Sequence, residues 1–90
     1  MELKDIDYLI AVAKYGNISK AAESLYISQP ALSKYITGLE KRVNLPLFNR
    51  IGNRFVLTYA GERYLARAKE IATCRDSLER ELQDIAGCND

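Results

Sequence analysis

Two short runs of helical apolar spacing, separated only by Tyr26 and Ile27, constrain this chain more than any other feature. The first run buries Ala21, Ala22 and Leu25 and follows Ser19 at an N-cap position. In the second, Leu32, Ile36, Leu39 and Val43 fall at steps of four, three and four, behind Ser28 as N-cap. Pro30 sits in the first turn of that run, where its missing N–H leaves no helical bond unmade. The Ala pair lets another helix approach closely. Two capped helices on so short a connection predict a helix-turn-helix.

The flanking segments complete a fold around this pair. Leu3, Ile6, Leu9, Ile10 and Ala13 predict a first helix over about 2–15, stopped by Gly16-Asn17. Asn44 supplies a left-handed stop for the third helix, and Pro46 prevents its continuation. Across 47–58, Gly52-Asn53 lies between short β-favouring stretches and reads as the tip of a hairpin. From Thr58 the helical period returns. Tyr64, Ala68, Ile71, Leu78, Leu82 and Ile85 follow alternating steps of four and three, with Arg75 in the skipped place. That stripe is expected to be a seam pairing two copies, because so long a helix exceeds what a small body covers. The expected fold is therefore mainly α: a winged helix-turn-helix of three helices and a small β-hairpin wing over 1–58, then a linker or dimerisation helix over 59–90.

Charge separates the same two regions. Residues 28–57 carry five basic side chains against Glu40 alone, whereas 58–90 carry five basic and seven acidic. A basic middle suits phosphate and an acidic tail suits protein, which a net charge of +1 conceals. Cys74 and Cys88, with no histidine in the chain, match no zinc spacing and no disulfide framework, so no metal or cofactor is expected. The first residues lack a secretory pattern and no apolar run reaches membrane length, so an intracellular, cytoplasmic protein with no membrane partner is expected.

Elimination of the buried stripe exposes Gln29, Ser33 and Thr37 on the third helix, with Pro30, Lys34 and Lys41 beside them. Gln29, Pro30, Ser33, Lys34 and Thr37 are the candidate base readers: Gln pairs bidentately with adenine, Ser and Thr serve either base type, Lys reaches guanine or phosphate, and the Pro30 ring meets a thymine methyl. Arg50 and Arg54 flank the hairpin tip, within reach of phosphate or the minor groove. Ser19 and Lys20 open the second helix, whose N-terminus attracts phosphate.

These residues resemble a known family. Ala21-Ala22, Leu25, Ser28-Gln29-Pro30-Ala31-Leu32-Ser33, Ile36, Leu39-Glu40, Leu47-Phe48, Arg50, Leu57-Thr58 and Ala60-Gly61 resemble the amino-terminal signature of LysR-type transcriptional regulators. The match runs in order and without gaps along essentially the whole chain. It implies a third helix reading the major groove, with Gln29, Pro30, Ser33 and Lys34 at base-reading positions and Arg50 and the wing, including Asn53, on the backbone. It also implies a homodimer through the linker helix on an inverted-repeat operator of double-stranded DNA. Three positions depart from the pattern. Lys34 stands where arginine is usual, making a forked guanine contact single-point. Asn44 replaces a common glycine, and Asn53 a frequent wing arginine. The resemblance further implies a small-molecule-sensing domain after residue 90, so this chain is expected to be a DNA-binding piece that itself takes no inducer.

Enzymatic function fails on inventory: no histidine, phosphate loop, metal-ligand cluster or nucleophile with a base at readable spacing is present. The six tyrosines fall at helical positions that suit core and seam, which leaves no stacking platform for RNA. The rival reading is a winged-helix docking or dimerisation module without sequence-specific DNA binding. The near-absence of acid over 28–57 and the Gln29/Ser33/Lys34 face separate the two, since docking has no need of that face.

Overall fold

The computed structural model describes residues 1–88; the last two positions of the expected linker helix lie outside them. Three helices, a hairpin and a long helix follow in order: α1 (Leu3–Tyr15), α2 (Ile18–Ser24), α3 (Gln29–Val43), β1 (Phe48–Ile51), β2 (Arg54–Leu57) and α4 (Tyr59–Cys88). This is the winged helix-turn-helix with an appended helix.

The core sits where the apolar stripes of α1, α2 and α3 converge. Leu9, Val12, Ile18, Ala21, Ala22, Leu32, Ile36 and Leu39 are buried together. Each of the larger side chains contributes about 1.5–3 kcal/mol by leaving water. Gly16 ends α1 in the left-handed conformation at φ 62, and Asn44 ends α3 likewise at φ 58. Ser28 caps α3 by accepting from the Ala31 amide. The cap of α2 differs from expectation: Asn17, not Ser19, accepts the Lys20 amide at 3.0 Å, and Ser19 is an exposed residue of the first turn. Asn and Ser are near-equal as caps, and the turn geometry after Gly16 brings Asn17 to the extended backbone a cap requires.

The hairpin pairs Phe48 with Leu57 and Ile51 with Arg54, leaving Gly52-Asn53 as a two-residue loop with positive φ only at Gly52. Phe48 and Phe55 point inward, ring centroids 5.7 Å apart. Two backbone bonds tie the wing to the α1–α2 turn, from the Ile18 amide to the Asn53 carbonyl and from the Phe55 amide to the Gly16 carbonyl. The wing is thus held against the turn that opens α2.

Helix α4 begins in contact with this body. The Thr58 hydroxyl donates to the Pro46 carbonyl at 2.7 Å and accepts from the Gly61 amide, while the Thr58 amide donates to the Leu47 carbonyl. A Cβ on Gly61 would lie 2.0 Å from the Leu47 oxygen, so only glycine permits this approach. Further along, Ala68 is 1% exposed and Tyr64 packs against the core. Arg75, in the skipped place of the stripe, donates from Nη1 to both carboxylate oxygens of Asp7 on α1, at 2.7 and 2.9 Å. Beyond it Leu78, Leu82 and Ile85 are 54%, 56% and 53% exposed. The expected seam is therefore corrected at its start: Tyr64 and Ala68 serve the chain's own packing, and the unpartnered stripe begins at Ile71. At 30 residues, α4 is about 45 Å long, which accounts for most of the molecule's 52 Å long axis.

The tyrosines also depart from expectation. Tyr8 and Tyr35 pack together at 4.6 Å, but Tyr59 is exposed and Tyr26 is 95% exposed. Tyr26 turns the chain between α2 and α3 with φ 58, a conformation that directs its side chain away from both helices.

Candidate nucleic-acid interface

The outward face of α3 presents Gln29, Pro30 and Lys34 as exposed side chains at its N-terminal end, and Lys41 further along. The N-cap and Pro30 place these residues in the first turns, so their side chains project from the tip of the helix rather than from its flank. Ser33 and Thr37 lie on the same face but are half-buried. What covers them is Arg50.

Arg50 stands on β1 opposite Phe55, and its guanidinium reaches across to α3 instead of out from the wing. Nη1 donates to the Ser33 hydroxyl at 3.0 Å and Nη2 to the Thr37 hydroxyl at 2.9 Å. Nη2 also meets Glu40 Oε1 at 3.3 Å, and the guanidinium carbon lies 4.7 Å from the centre of the Phe55 ring. Glu40 is the pivot: its other oxygen accepts the Leu47 and Phe48 amides at 2.8 and 3.2 Å. One carboxylate therefore anchors the α3–β1 connection and holds the arginine. The Thr37 hydroxyl donates in turn to the Ser33 carbonyl.

The remaining positions divide by surroundings. Ser19 and Lys20 are exposed at the start of α2, and Ser28 is engaged as a cap. Asn53 and Arg54 lie exposed at the wing tip, beside the α1–α2 turn. Of the basic side chains over 28–57, Arg42 is taken up by Asp5 with bonds of 2.9 and 3.0 Å on the opposite side of α3, and Arg50 by Glu40. Lys34, Lys41 and Arg54 make no ion pair among the described residues. Sequence reasoning counted all five as phosphate-directed charge; pairing takes up two of them, Arg42 and Arg50. It also passed over Glu40, whose signal was its isolation as the single acid in a basic stretch.

Among the described residues no group of His, Cys, Asp and Glu is placed to hold a metal, and no helix is long and apolar enough to cross a membrane.

A helix with Gln29, Pro30 and Lys34 exposed at its N-terminal end, beside a two-stranded wing, is the arrangement of a winged helix-turn-helix. The sequence model of the bacterial regulatory helix-turn-helix protein, lysR family, matches residues 3–62, and the chain belongs to that family. It is 35% identical over 85 residues to the HTH-type transcriptional activator CmpR of Synechocystis, covering 94% of this chain and 28% of that protein. It is 40% identical over 86 residues to the HTH-type transcriptional regulator BudR of Klebsiella aerogenes, covering 96% of this chain and 60% of that protein. The chain thus spans less than two thirds of these regulators. Among solved structures, the BenM DNA-binding domain in complex with catB site 1 DNA superposes with a TM-score of 0.89 at 30% identity, covering 96% of each chain. The CbnR DNA-binding domain in complex with DNA superposes at 0.86 with 31% identity, covering 96% of this chain and 99% of that one.

Proposed function

We propose that this chain binds double-stranded DNA sequence-specifically, as a homodimer on an inverted-repeat operator, within a cytoplasmic transcriptional regulator and without catalysis of its own. The observation that carries this reading is the acid-free tip of α3, where exposed Gln29, Pro30 and Lys34 stand together on a capped helix end. Solved DNA complexes of the same fold, aligned over nearly the full chain, support it. In this reading α3 enters the major groove, with Gln29, Pro30, Ser33 and Lys34 meeting base edges. Ser19, Lys20, Ser28, Lys41, Asn53 and Arg54 face the backbone or minor groove. Residues 1–58 form the reading unit and the helix from Tyr59 to Cys88 pairs two copies, with Ile71, Leu78, Leu82 and Ile85 as the seam between them.

Selection from a random duplex pool at fixed salt tests the proposal. An enriched inverted repeat is expected, and Gln29→Ala should relax one base position at a cost of roughly 1–3 kcal/mol. Binding that fades with salt and enriches no sequence would leave only a basic surface. Leu78→Lys with Leu82→Lys should give a monomer by sedimentation; a surviving dimer would place the interface elsewhere.

A further inference from the structure

Arg50 and Glu40 together form a device that the DNA-reading proposal does not use. The guanidinium is stacked over Phe55 of β2 and bonded to Ser33, Thr37 and Glu40 of α3, so two elements fix its plane against the groove-facing side of α3. About a third of the side chain (32%) remains exposed. Thr37 is spent in the arrangement: its hydroxyl proton goes to the Ser33 carbonyl and its oxygen accepts from Arg50. At the level of Thr37, the group left facing outward is the arginine.

A phosphate contact needs positive charge but little orientation, and a long side chain held by a carboxylate loses both freedom and net charge. Holding the guanidinium by three side-chain acceptors and a ring fixes its direction, which serves base discrimination more than charge neutralisation. We infer that Arg50 is a specificity-determining residue for the DNA sequence read by α3, and that Glu40 and Thr37 are positioning residues acting through it. This rests on the DNA-binding reading above and changes two roles expected from the sequence: Thr37 does not itself meet a base, and Arg50 is more than a wing contact to the backbone.

Glu40→Gln separates the two tasks of the carboxylate. The amide oxygen still accepts the Leu47 and Phe48 amides, while the NH₂ group replaces the oxygen that faces Arg50. The released arginine becomes a generic cation. Discrimination between the selected site and single-base variants is expected to fall roughly tenfold at one position. Affinity for random duplex should hold or rise, with the salt slope steeper by about one. Thr37→Val, which leaves Glu40 intact, should relax the same position to a smaller degree. The decisive measurement is a pair of double-mutant cycles at fixed salt. In an Arg50→Ala background, neither Glu40→Gln nor Thr37→Val should change discrimination further. Additive effects, or Thr37→Val relaxing a different base position from Arg50→Ala, would overturn the inference. So would Arg50→Ala weakening every sequence alike. If the wild-type chain selects no sequence at all, the DNA-binding reading fails first, and that outcome is seen before any variant is made. Were Glu40→Gln to disturb the fold, the Thr37→Val cycle carries the test alone.

Discussion

The two sides of α3 each carry an arginine held by a carboxylate, and the pairs serve different ends. On the inner side Asp5 is 1% exposed and receives both nitrogens of Arg42, the Tyr35 hydroxyl and the Glu2 amide. The hydrogen bonds from Arg42, working against burial, hold the Asp5 carboxyl well below the usual carboxylate range. Burial, reinforced by that carboxylate, pushes the Tyr35 phenol up to about 12. On the outer side Glu40 and Arg50 are both partly in water. Attraction between solvated charges is worth at most about 1 kcal/mol, so little of the fold depends on the outer pair. What it supplies is direction. A carboxylate buried under its donors stabilises the structure that encloses it, whereas a pair in which both members keep contact with water chiefly sets where a side chain points.

The largest break in this comparison should come from Asp5→Ala. It removes several charge-assisted bonds and is expected to cost about 2–3 kcal/mol in urea unfolding. It should stay below the full penalty for an orphaned buried charge, because the Arg42 left behind is already 51% exposed. DNA affinity of the folded fraction should not change. A loss no greater than that of Arg50→Ala would erase the distinction between the two pairs.

Titration sharpens it next. The Asp5 contribution is complete above the ordinary carboxyl value of 3.8 and is lost only as pH falls below that, through the depressed folded value. The Tyr35 phenol, raised in the folded state, behaves oppositely: its contribution is complete below 10.0 and is lost as pH rises toward about 12. Alkaline unfolding of Tyr35→Phe should lose slope in that window, and an unchanged slope would show that the Tyr35 phenol is not raised in the folded state. Arg50→Ala should then shift the unfolding free energy by less than about 1 kcal/mol while altering DNA discrimination.

The smallest effect belongs to neither pair and calibrates both. Tyr26 holds a left-handed conformation costing about 1–2 kcal/mol, and glycine would relieve it. The extra unfolded-state entropy of glycine returns about 0.5–1 kcal/mol. Tyr26→Gly should therefore stabilise by about 0.5 kcal/mol, seen as a small rise in Tm. A loss of stability would mean that the exposed ring makes a contact that outweighs its strain.

Local rules in the sequence reached far. The helix limits followed from apolar period, Gly16, Ser28, Pro30 and Asn44, because these act within a turn of the backbone that they shape. The hairpin followed from Gly52-Asn53 for the same reason. Misplacing the α2 cap by two residues, on Ser19 rather than Asn17, reflects two near-equal caps competing within one turn. The candidate site was legible only in part. Gln29, Pro30 and Lys34 were found because their exposure follows from helix geometry alone, while Ser33 and Thr37 lay hidden under a residue from another element.

Element order, the turn chemistry and the composition of the reading face were thus set by the sequence itself, since each depends on neighbours a few residues apart. Only the tertiary structure decided which charges are spent. Asp5 meets Arg42, Asp7 meets Arg75 and Glu40 meets Arg50 across 37, 68 and 10 residues of chain. It likewise decided that Tyr64 and Ala68 face the body while Leu78 and Leu82 do not. The stripe is continuous in sequence, but the body of the molecule is shorter than the helix laid along it, and length in space sets where burial ends.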